Sequence, residues 1–193
     1  MRMQETKELF WKLMEPEYVR ATLYCRKLCG DRDRADDLLQ DVMVKAMTKF
    51  SDLRNNESFR PWLYRILIST FRDSIRRPWW QRRVSLTPEI ESDHAVTDPV
   101  NRFNARRWLD LAFTAVSPDE QALVTLHELE QWSIAELAQL YDKSESAIKV
   151  RLHRARQKMK KRLKKLLADI GGDSELTNIN GINQCIATRP NGE

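Results

Sequence analysis

The sequence is poor in glycine and lacks the runs of residues that several large protein classes require. Only five glycines occur in 193 residues, and none of them belongs to a glycine-rich phosphate-binding loop. No segment alternates apolar and polar residues over the length of a β-strand. No apolar stretch approaches the roughly 20 residues of a transmembrane helix, and residues 1–4 do not begin a signal peptide. These absences argue against a nucleotide-binding α/β enzyme, a β-protein and membrane insertion.

Cysteine is equally scarce. Cys25, Cys29 and Cys185 form an odd and sparse set, which is typical of a reducing compartment and predicts a cytoplasmic protein. Cys25 and Cys29 lie four positions apart, so they share one face of a predicted helix. They either pack in the core or form a redox pair; no histidine lies close enough in the sequence to suggest a metal site. The sequence therefore predicts no metal, no cofactor and no catalytic residue.

Charge is abundant and unevenly distributed. The 33 basic and 28 acidic residues give a net charge of +5. Residues 54–83 carry eight arginines and two acids, and residues 143–165 carry eleven basic residues and one acid. Between them, residues 84–100 hold four acids and no lysine or arginine. Dense basic segments suit a polyanion, because each neutralised phosphate releases counterions. A solvated helix face is the alternative for either cluster alone.

Long segments repeat apolar residues every three or four positions, which predicts an all-α protein of two small helical domains joined by a flexible linker. For the first domain we expect a short helix before Pro16, a second from about Glu17 to Gly30, a third capped by Asp33, and a fourth that opens at Pro61 and stops before Pro78.

The expected domain boundaries follow the changes in composition. Prolines, acids and weak periodicity mark the linker, and the last segment is rich in Gly, Asn and Thr and predicted to be disordered. The divisions are 1–83 for the first domain, 84–100 for the linker, 101–168 for the second domain and 169–193 for the tail.

Residues 133–152 have the spacing of a helix-turn-helix motif. In the first predicted helix Ile134, Leu137, Ala138 and Tyr141 face inward, and Ser144 caps the second, which Ala147, Ile148 and Leu152 anchor. The outward positions are those from which such a helix reads the major groove of DNA: Glu145, Ser146, Lys149, Val150, Arg151, His153 and Arg154. Lysines 160, 161, 164 and 165 follow and suit phosphate contacts. A helical hairpin for protein–protein contact is the alternative.

Aromatic residues and arginines are interleaved in the first domain. This composition is typical of single-strand binding, in which bases stack on rings and guanidinium groups hold the backbone. Leu63, Phe71 and one or two of the tryptophans are expected to be packed in the core instead. The rings concerned are Phe59, Trp62, Tyr64, Phe71, Trp79 and Trp80.

Three segments together resemble the extracytoplasmic-function (ECF) sigma factors of the sigma-70 family. Residues 30–42 look like the polymerase-binding helix of that family. Residues 59–66, followed by Asp73 and by Arg76 and Arg77, look like its promoter-melting and −10-reading segment. Residues 117–126 and 134–156 look like its −35-binding module. The likeness spans about residues 15 to 165, in the order and spacing of the family.

The resemblance implies a function and a set of partners. An ECF sigma factor binds core RNA polymerase and directs promoter-specific initiation by recognising −10 and −35 elements. Its region 2 is a four-helix domain and its region 4 a helix-turn-helix domain, and the acidic linker threads through the nucleic-acid channel of the polymerase. The implied partners are core polymerase, through the coiled coil of its large subunit, promoter DNA, and an anti-sigma factor as a candidate.

The resemblance also implies roles for particular residues. Those for core-polymerase contact are Asp36, Asp37, Gln40 and Asp41; complementing the helix dipole is the alternative for the first two. Those for −10 DNA are Asn55, Asn56, Ser58, Arg60, Trp62, Arg65, Ser69, Arg72, Arg76 and Arg77. Those for −35 DNA are Ser146, Lys149, Val150, Arg151, His153 and Arg154.

Alternatives remain for part of this assignment. The loop at residues 54–58 would form a pocket for a flipped base, or it is an ordinary polar turn, and the arginine stripe could be a solvated face. Ser69 stands where the family commonly has Asn, and Val150 where it often has Ser, so Val150 would offer an apolar contact such as one to a thymine methyl.

Two other functions could explain part of the sequence. A helix-turn-helix regulator that binds DNA without acting as a sigma subunit accounts for residues 134–156, but not for the acidic helix or the aromatic segment. A recombinase-like enzyme would need an activated nucleophile in a βα domain, of which the sequence has no sign.

Overall fold

The computed structural model describes residues 2–53, 55–76 and 99–170, without the side chains of residues 2, 3, 99–105, 169 and 170. Within these ranges the secondary structure is helical. The first module contains α1 (Arg2–Cys29), α2 (Arg32–Thr48) and α3 (Phe59–Ile75), with short 3-10 turns at Phe50–Asp52 and Asn56–Ser58. The second contains α4 (Pro99–Phe113), α5 (Pro118–Glu128), α6 (Ile134–Tyr141) and α7 (Glu145–Ile170). Residues 84–98 of the predicted linker 84–100, and residues 171–193 of the predicted tail 169–193, lie outside the described residues.

The sequence predicted that Pro16 separates two helices. In the structure Pro16 lies inside the continuous helix α1. A proline inside a helix costs about 3 kcal/mol, because it removes one backbone hydrogen bond and crowds the preceding turn. Phe10 and Met14 before it, and Ala21 and Tyr24 after it, are all fully buried. They form one apolar stripe that packs in the core. The free energy gained by burying this stripe outweighs the tendency of the proline to break the helix. The described part of the first module therefore contains the three α-helices α1, α2 and α3, with no break at Pro16.

The starts of α2 and α3 also differ from the prediction. The cap of α2 is Asp31 rather than Asp33, since the Asp31 carboxylate accepts a hydrogen bond of 2.8 Å from the backbone N–H of Arg34. Helix α3 begins two residues before Pro61, at Phe59. Pro61 still lies in the first turn, where its missing N–H has no partner to lose.

The second module has strong start signals on two of its helices. At α5, Ser117 and Glu120 form a capping box, and Pro118 follows in the first turn. At α6, Ser133 and Glu136 form a second capping box. In each box the serine hydroxyl accepts from the backbone of the third helical residue, whose carboxylate accepts from the serine N–H. These four helices enclose Leu123, Leu126, Leu137, Ile148 and Leu152, all nearly inaccessible to solvent.

The two modules share one continuous hydrophobic core. Tyr24 of α1 and Tyr64 of α3 have ring centroids 5.4 Å apart, and Trp132 of the second module lies 4.8 Å from Tyr64. Trp132 is only 3% exposed. The hydroxyl of Tyr24 also donates to the carbonyl of Ala122, at 3.1 Å. Helices α1 and α3 therefore lie directly against the second module. No helix among the described residues is long and apolar enough to cross a membrane.

A glycine at the end of α1 makes room for one of these contacts between modules. Gly30 has φ of +70°, a left-handed conformation that closes helix ends and that glycine adopts without strain. An added Cβ would lie 2.6 Å from the Arg106 guanidinium. That guanidinium donates to the carbonyl of Lys27, at 3.4 Å, and pairs with Asp110, at 3.2 Å. Arg106 thus reaches the carboxyl end of α1 because position 30 has no side chain.

Both cysteines of α1 are free thiols, and Cys25 is completely buried. Burial raises the pKa of Cys25 to about 12, with a smaller contribution from the charge of Asp36. The pKa of Cys29 is raised as well, mainly by burial. A raised pKa leaves little thiolate at neutral pH, so both residues suit core packing rather than redox chemistry.

We predict that Gly30→Ala lowers the free energy of unfolding by about 1–2 kcal/mol, because alanine is strained at positive φ and displaces Arg106. Urea denaturation followed by circular dichroism measures the loss. Gly30→Asn is the matched control, since asparagine tolerates the left-handed conformation better than alanine. If the asparagine variant were the less stable of the two, crowding rather than backbone strain would be the cause.

We further predict that Cys25 reacts with iodoacetamide at pH 8 at least tenfold more slowly in the folded protein than in urea, because the raised pKa and burial withhold the thiolate. A Cys185→Ala background removes the tail thiol, and mass spectrometry of tryptic peptides measures alkylation at each site. Equal rates in the two states would show that Cys25 is accessible and reactive.

Candidate nucleic-acid interface

The turn between α6 and α7 sets the direction of the second helix. Asp142 has φ of 51° and ends α6 in the left-handed conformation. The Ser144 hydroxyl then accepts a hydrogen bond from the N–H of Ala147, at 3.2 Å, which caps α7 as predicted. Ile148 and Leu152 are buried and fix α7 against the rest of the module. This is the predicted helix-turn-helix, with α7 in the position of the recognition helix.

The opposite face of α7 is exposed over its first three turns. Five of the six residues predicted for the −35 element are exposed: Ser146, Lys149, Val150, His153 and Arg154. Val150 is 47% exposed, unusual for an apolar side chain at the middle of a basic helix face. The sixth, Arg151, is half-buried at the edge, with its guanidinium 4.9 Å from the centre of the Tyr141 ring. Stacking on Tyr141 orients Arg151 beside the exposed face.

Other basic residues of α7 have structural partners. Arg156 pairs with Glu128, and the ammonium of Lys158 lies 2.6 Å from the Glu120 carboxylate. Both acids belong to α5, so these pairs hold α7 against its own module. Lysines 160, 161, 164 and 165 are exposed further along the helix. Arg156 and Lys158 are thus paired with α5, whereas lysines 160, 161, 164 and 165 face solvent.

Helix α3 carries four of the six rings that are interleaved with arginine in the sequence, and three of these four are buried. Phe59, Leu63, Tyr64 and Phe71 are all at most 3% exposed, so the expected core roles of Leu63 and Phe71 are confirmed. Trp62 is half-buried and packs against Phe59, with centroids 5.7 Å apart. Of the rings on α3, only that of Trp62 is left partly open to solvent. Trp79 and Trp80 lie outside the described residues.

The loop before α3 places its polar residues at the surface. Asn55, Asn56 and Ser58 are exposed. The Asn55 side chain accepts a hydrogen bond from the N–H of Glu57, at 3.0 Å, and so stabilises its own turn. The amide of Asn56 and the hydroxyl of Ser58 line the same exposed loop. Arg54 lies outside the described residues.

Three of the predicted −10 arginines end on groups of the second module, which the sequence did not predict. Arg65 donates to the backbone carbonyls of Leu140, at 2.8 Å, and Gln139, at 2.6 Å. Arg72 lies 3.7 Å from the carboxylate of Asp119. The partners in each pair are far apart in the sequence, so no local pattern indicates them.

Arg60 has the most contacts of these three arginines. It lies 3.7 Å from the Glu17 carboxylate of its own module and 3.6 Å from that of Glu136 on α6. Its guanidinium carbon also lies 4.4 Å from the centre of the Trp132 ring, a cation–π distance. Arg60 therefore joins the aromatic and the ionic parts of the contact between modules.

The remaining residues of the predicted −10 set are closer to solvent or outside the description. The Ser69 hydroxyl donates to the carbonyl of Ile66, at 2.9 Å, within its own helix. Arg76 is exposed just beyond the end of α3. Arg77 lies outside the described residues. The structure thus brings Arg60, Arg65 and Arg72 to one contact surface and leaves Arg76 apart from it.

The acidic face of α2 is open. Asp36, Asp37 and Gln40 are exposed and Asp41 is half-buried. Asp36 lies 3.9 Å from Arg32 one turn earlier, a surface pair that adds little stability. The opposite side of the helix is formed by buried Ala35, Leu38, Leu39 and Val42. Packing of that side presents the four predicted polymerase contacts together. No group of three or more His, Cys, Asp or Glu residues that could hold a metal occurs in the described ranges.

Comparison with known proteins agrees with this arrangement. The family model Sigma-70 region 2 matches residues 13–81, and the model Sigma-70, region 4 matches residues 106–159. The chain is 30% identical over 142 residues to RNA polymerase sigma factor YlaC of Bacillus subtilis, covering 69% of this chain and 79% of that protein. It is 25% identical over 153 residues to the ECF sigma factor SigW of the same organism, covering 74% and 82% of the two chains.

Two further comparisons show how far the similarity extends along the chain. The ECF sigma factor SigG of Mycobacterium tuberculosis is 27% identical over 172 residues, but this chain spans only 46% of its length. Among solved structures, the sigma factor RpoE of Bartonella quintana, in complex with the anti-sigma factor NepR, superposes with a TM-score of 0.58 and 21% identity, covering 80% of this chain and 96% of that one. This last match shows a shared fold. From the two region models, the relatives and the placement of the helices, the chain belongs to the sigma-70 family of RNA polymerase sigma factors and, within it, to the ECF group.

Proposed function

We propose that this sigma factor initiates transcription through a division of labour between its two modules. Residues 1–83 bind core polymerase and capture the −10 element, residues 101–168 bind the −35 element, and residues 84–100 connect them through the polymerase channel. The observation that carries the proposal is the division of basic residues on α7. Arg156 and Lys158 pair with α5, whereas Lys149 and Arg154 are exposed on the face opposite the buried anchors.

At the −35 element, α7 enters the major groove of duplex DNA with its amino-terminal turns. Lys149 and Arg154 supply donors for phosphates and guanine edges, and Arg151 adds a planar donor already oriented by Tyr141. Ser146 and His153 can exchange hydrogen bonds with base edges. Val150 at the centre offers an apolar contact suited to a thymine methyl group.

At the −10 element, the chain contacts the melted non-template strand. Asn55, Asn56 and Ser58 present amide and hydroxyl groups to the edge of an unstacked base, and the half-buried ring of Trp62 offers a stacking surface. Arg60, Arg65, Arg72, Arg76 and Arg77 hold strand phosphates, and Ser69 adds a polar contact on the same stripe. Base edges give the specificity and phosphates the register.

Core polymerase binds the acidic face of α2 through the coiled coil of its large subunit. Asp36, Asp37, Gln40 and Asp41 form one face that suits a basic or amide-rich partner. All steps assigned to this chain are non-covalent, so it acts without catalytic residues or a cofactor, in the cytoplasm, where core polymerase is found. The RpoE neighbour is in complex with an anti-sigma factor, and we propose a protein of that class as a further partner here.

We predict that a triple Ala variant of Lys149, Arg151 and Arg154 weakens −35 duplex binding at least hundredfold, because a bidentate base contact alone is worth about 1–3 kcal/mol. Fluorescence anisotropy on a duplex selected by the wild-type protein in complex with core polymerase measures this. Lys158→Ala is the control, since it removes a charge of the same helix that faces α5. Unchanged affinity and salt dependence in the triple variant would contradict the assignment.

We also predict that Asp37→Lys combined with Gln40→Ala weakens binding to core polymerase at least tenfold, because reversing one charge on the acidic face opposes a basic partner. Biolayer interferometry with immobilised core enzyme gives the dissociation constant. Glu8→Lys combined with Gln4→Ala makes the same changes on exposed positions of α1 and is expected to bind as the wild type. If the wild-type chain itself did not bind core polymerase, a regulator that acts without polymerase would be favoured.

A further inference from the structure

Four exposed lysines in the second half of α7 form a separate basic surface, the lysine cluster: Lys160, Lys161, Lys164 and Lys165. Arg156 and Lys158 pair with acids of α5, whereas among the described residues no acid pairs with a lysine of the cluster. The cluster follows residue 159, where the match to region 4 ends, and the roles implied by the resemblance end at Arg154. Base reading by the first turns of α7 therefore leaves these four charges unexplained.

The lysine cluster continues the side of α7 that is proposed to face DNA. Exposed positions on that side follow one another at intervals of three or four residues, the spacing of one helix face: Ser146, Val150, His153, Gln157, Lys160 and Lys164. The other side is buried along the same length, at Ile148, Leu152, Ala155, Met159 and Leu163. Packing of the buried side holds the cluster and the first turns on one rigid helix.

The lysine cluster lowers the stability of its own helix. Lys160 and Lys164 lie one turn apart, as do Lys161 and Lys165, and like charges at this spacing destabilise a helix. No acidic residue lies between Glu145 and Asp169 to offset this repulsion. The helix dipole favours cations only in the last turn, which contains no basic residue. A solvated helix face usually carries charges of both signs, so the cluster suits an external polyanion better.

The length of α7 places the cluster beyond the groove that the first turns enter. A helix rise of about 1.5 Å per residue puts Lys160 about 16 Å and Lys165 about 24 Å along the axis from Lys149. The major groove is about 12 Å wide and winds around the duplex. A straight helix whose first turns lie in that groove therefore leaves it, and its second half meets the phosphates of the flanking backbone.

The residue types along α7 change in the same direction. The first turns carry Arg151, His153 and Arg154, whose side chains can donate to base edges. The cluster consists of lysines, whose ammonium groups are point charges on flexible stems. Such groups reach phosphates without the fixed geometry that a base edge requires. The helix thus passes from side chains that suit bases to side chains that suit the backbone.

We propose that the lysine cluster is a second DNA-binding surface, which holds phosphates of the duplex that flanks the −35 element and adds affinity without sequence specificity. The inference rests on the proposed function, because it requires the first turns of α7 in the −35 groove. An acidic protein is the other partner that the charge allows, but DNA alone accounts for the alignment of the cluster with the proposed base-reading face. Each phosphate that a lysine neutralises releases counterions, so the added affinity falls steeply with salt.

The test compares duplexes of different length, with the full chain as the binding protein. A short fluorescein-labelled duplex of about 12 base pairs carries the −35 element that the wild-type protein selects with core polymerase. Two longer duplexes extend it by about ten base pairs, one helical turn, of arbitrary sequence on one side or on the other. Fluorescence anisotropy over a series of salt concentrations gives the dissociation constant for each duplex.

Two triple variants are compared with the wild type. The cluster variant replaces three lysines of α7 by glutamine, which keeps helix propensity and removes the charge: Lys160→Gln, Lys161→Gln and Lys164→Gln. The matched control removes three charges at exposed lysines of the first module that have no proposed DNA contact: Lys7→Gln, Lys12→Gln and Lys49→Gln. Thermal melts followed by circular dichroism show whether each variant is folded, and the cluster variant is expected to be at least as stable as the wild type.

The cluster variant is expected to bind one of the two extended duplexes at least fivefold more weakly than the wild type, and to change affinity for the short duplex less than twofold. On that extended duplex the slope of affinity against salt is expected to fall by about 2–3, since three phosphate contacts are lost. Preference for the selected element over a scrambled one is expected to stay unchanged, because phosphates carry no sequence information. The control is expected to change affinity for every duplex less than twofold.

The other outcomes overturn the inference in distinguishable ways. Equal losses in the cluster variant and the control would show a general effect of net charge. Equal losses on the short and the extended duplexes would place the lysines on the element itself and refute a flanking contact. If the cluster variant bound every duplex as the wild type does, while Arg154→Ala weakened binding, the lysines would serve another partner such as an acidic protein, and the −35 assignment would stand. If the wild-type chain showed no preference for the selected element, that assignment would fail, and the inference with it.

Discussion

The arrangement of this molecule depends on how the guanidinium groups of α3 are satisfied. Arg60, Arg65 and Arg72 project from a helix whose other side is packed, and their guanidinium groups contact acceptors of the second module. Those acceptors are the carboxylates of Glu136 and Asp119 and the backbone carbonyls at the end of α6. The same donors suit the phosphates of a DNA strand, because both partners are arrays of oxygen acceptors. The contact that joins the modules and the contact proposed for the promoter therefore draw on one set of atoms.

The sequence predicted the second module better than the first. The Ser144 cap of α7, which the sequence predicted, is a local feature set by residues three positions apart. Pro16 shows the opposite case: its local preference for a break was overridden by the burial of Phe10, Met14, Ala21 and Tyr24 along one stripe. The cap of α2 was misplaced by two residues because Asp31 and Asp33 are both suitable types. Only the backbone geometry distinguishes them.

The contacts between the modules could not have been predicted from the sequence. Arg65 and its two acceptors are 75 and 74 positions apart, and both acceptors are backbone carbonyls, which every residue has. The sequence did indicate that α3 carries arginines on one face and that residues 133–152 form a helix-turn-helix motif. It gave no sign that these features meet. The resemblance in turn identified the family, which the matches to regions 2 and 4 confirm, whereas the role of each site residue stays a prediction.

A sigma factor selects the start sites at which RNA polymerase begins transcription, and this chain is expected to do so. Run-off transcription with core polymerase on a promoter library, with sequencing of transcript 5′ ends, tests it most directly. With the chain present, we expect discrete start sites that share two upstream sequence elements at a constant spacing. Transcripts whose 5′ ends are distributed as they are with core polymerase alone would contradict the account.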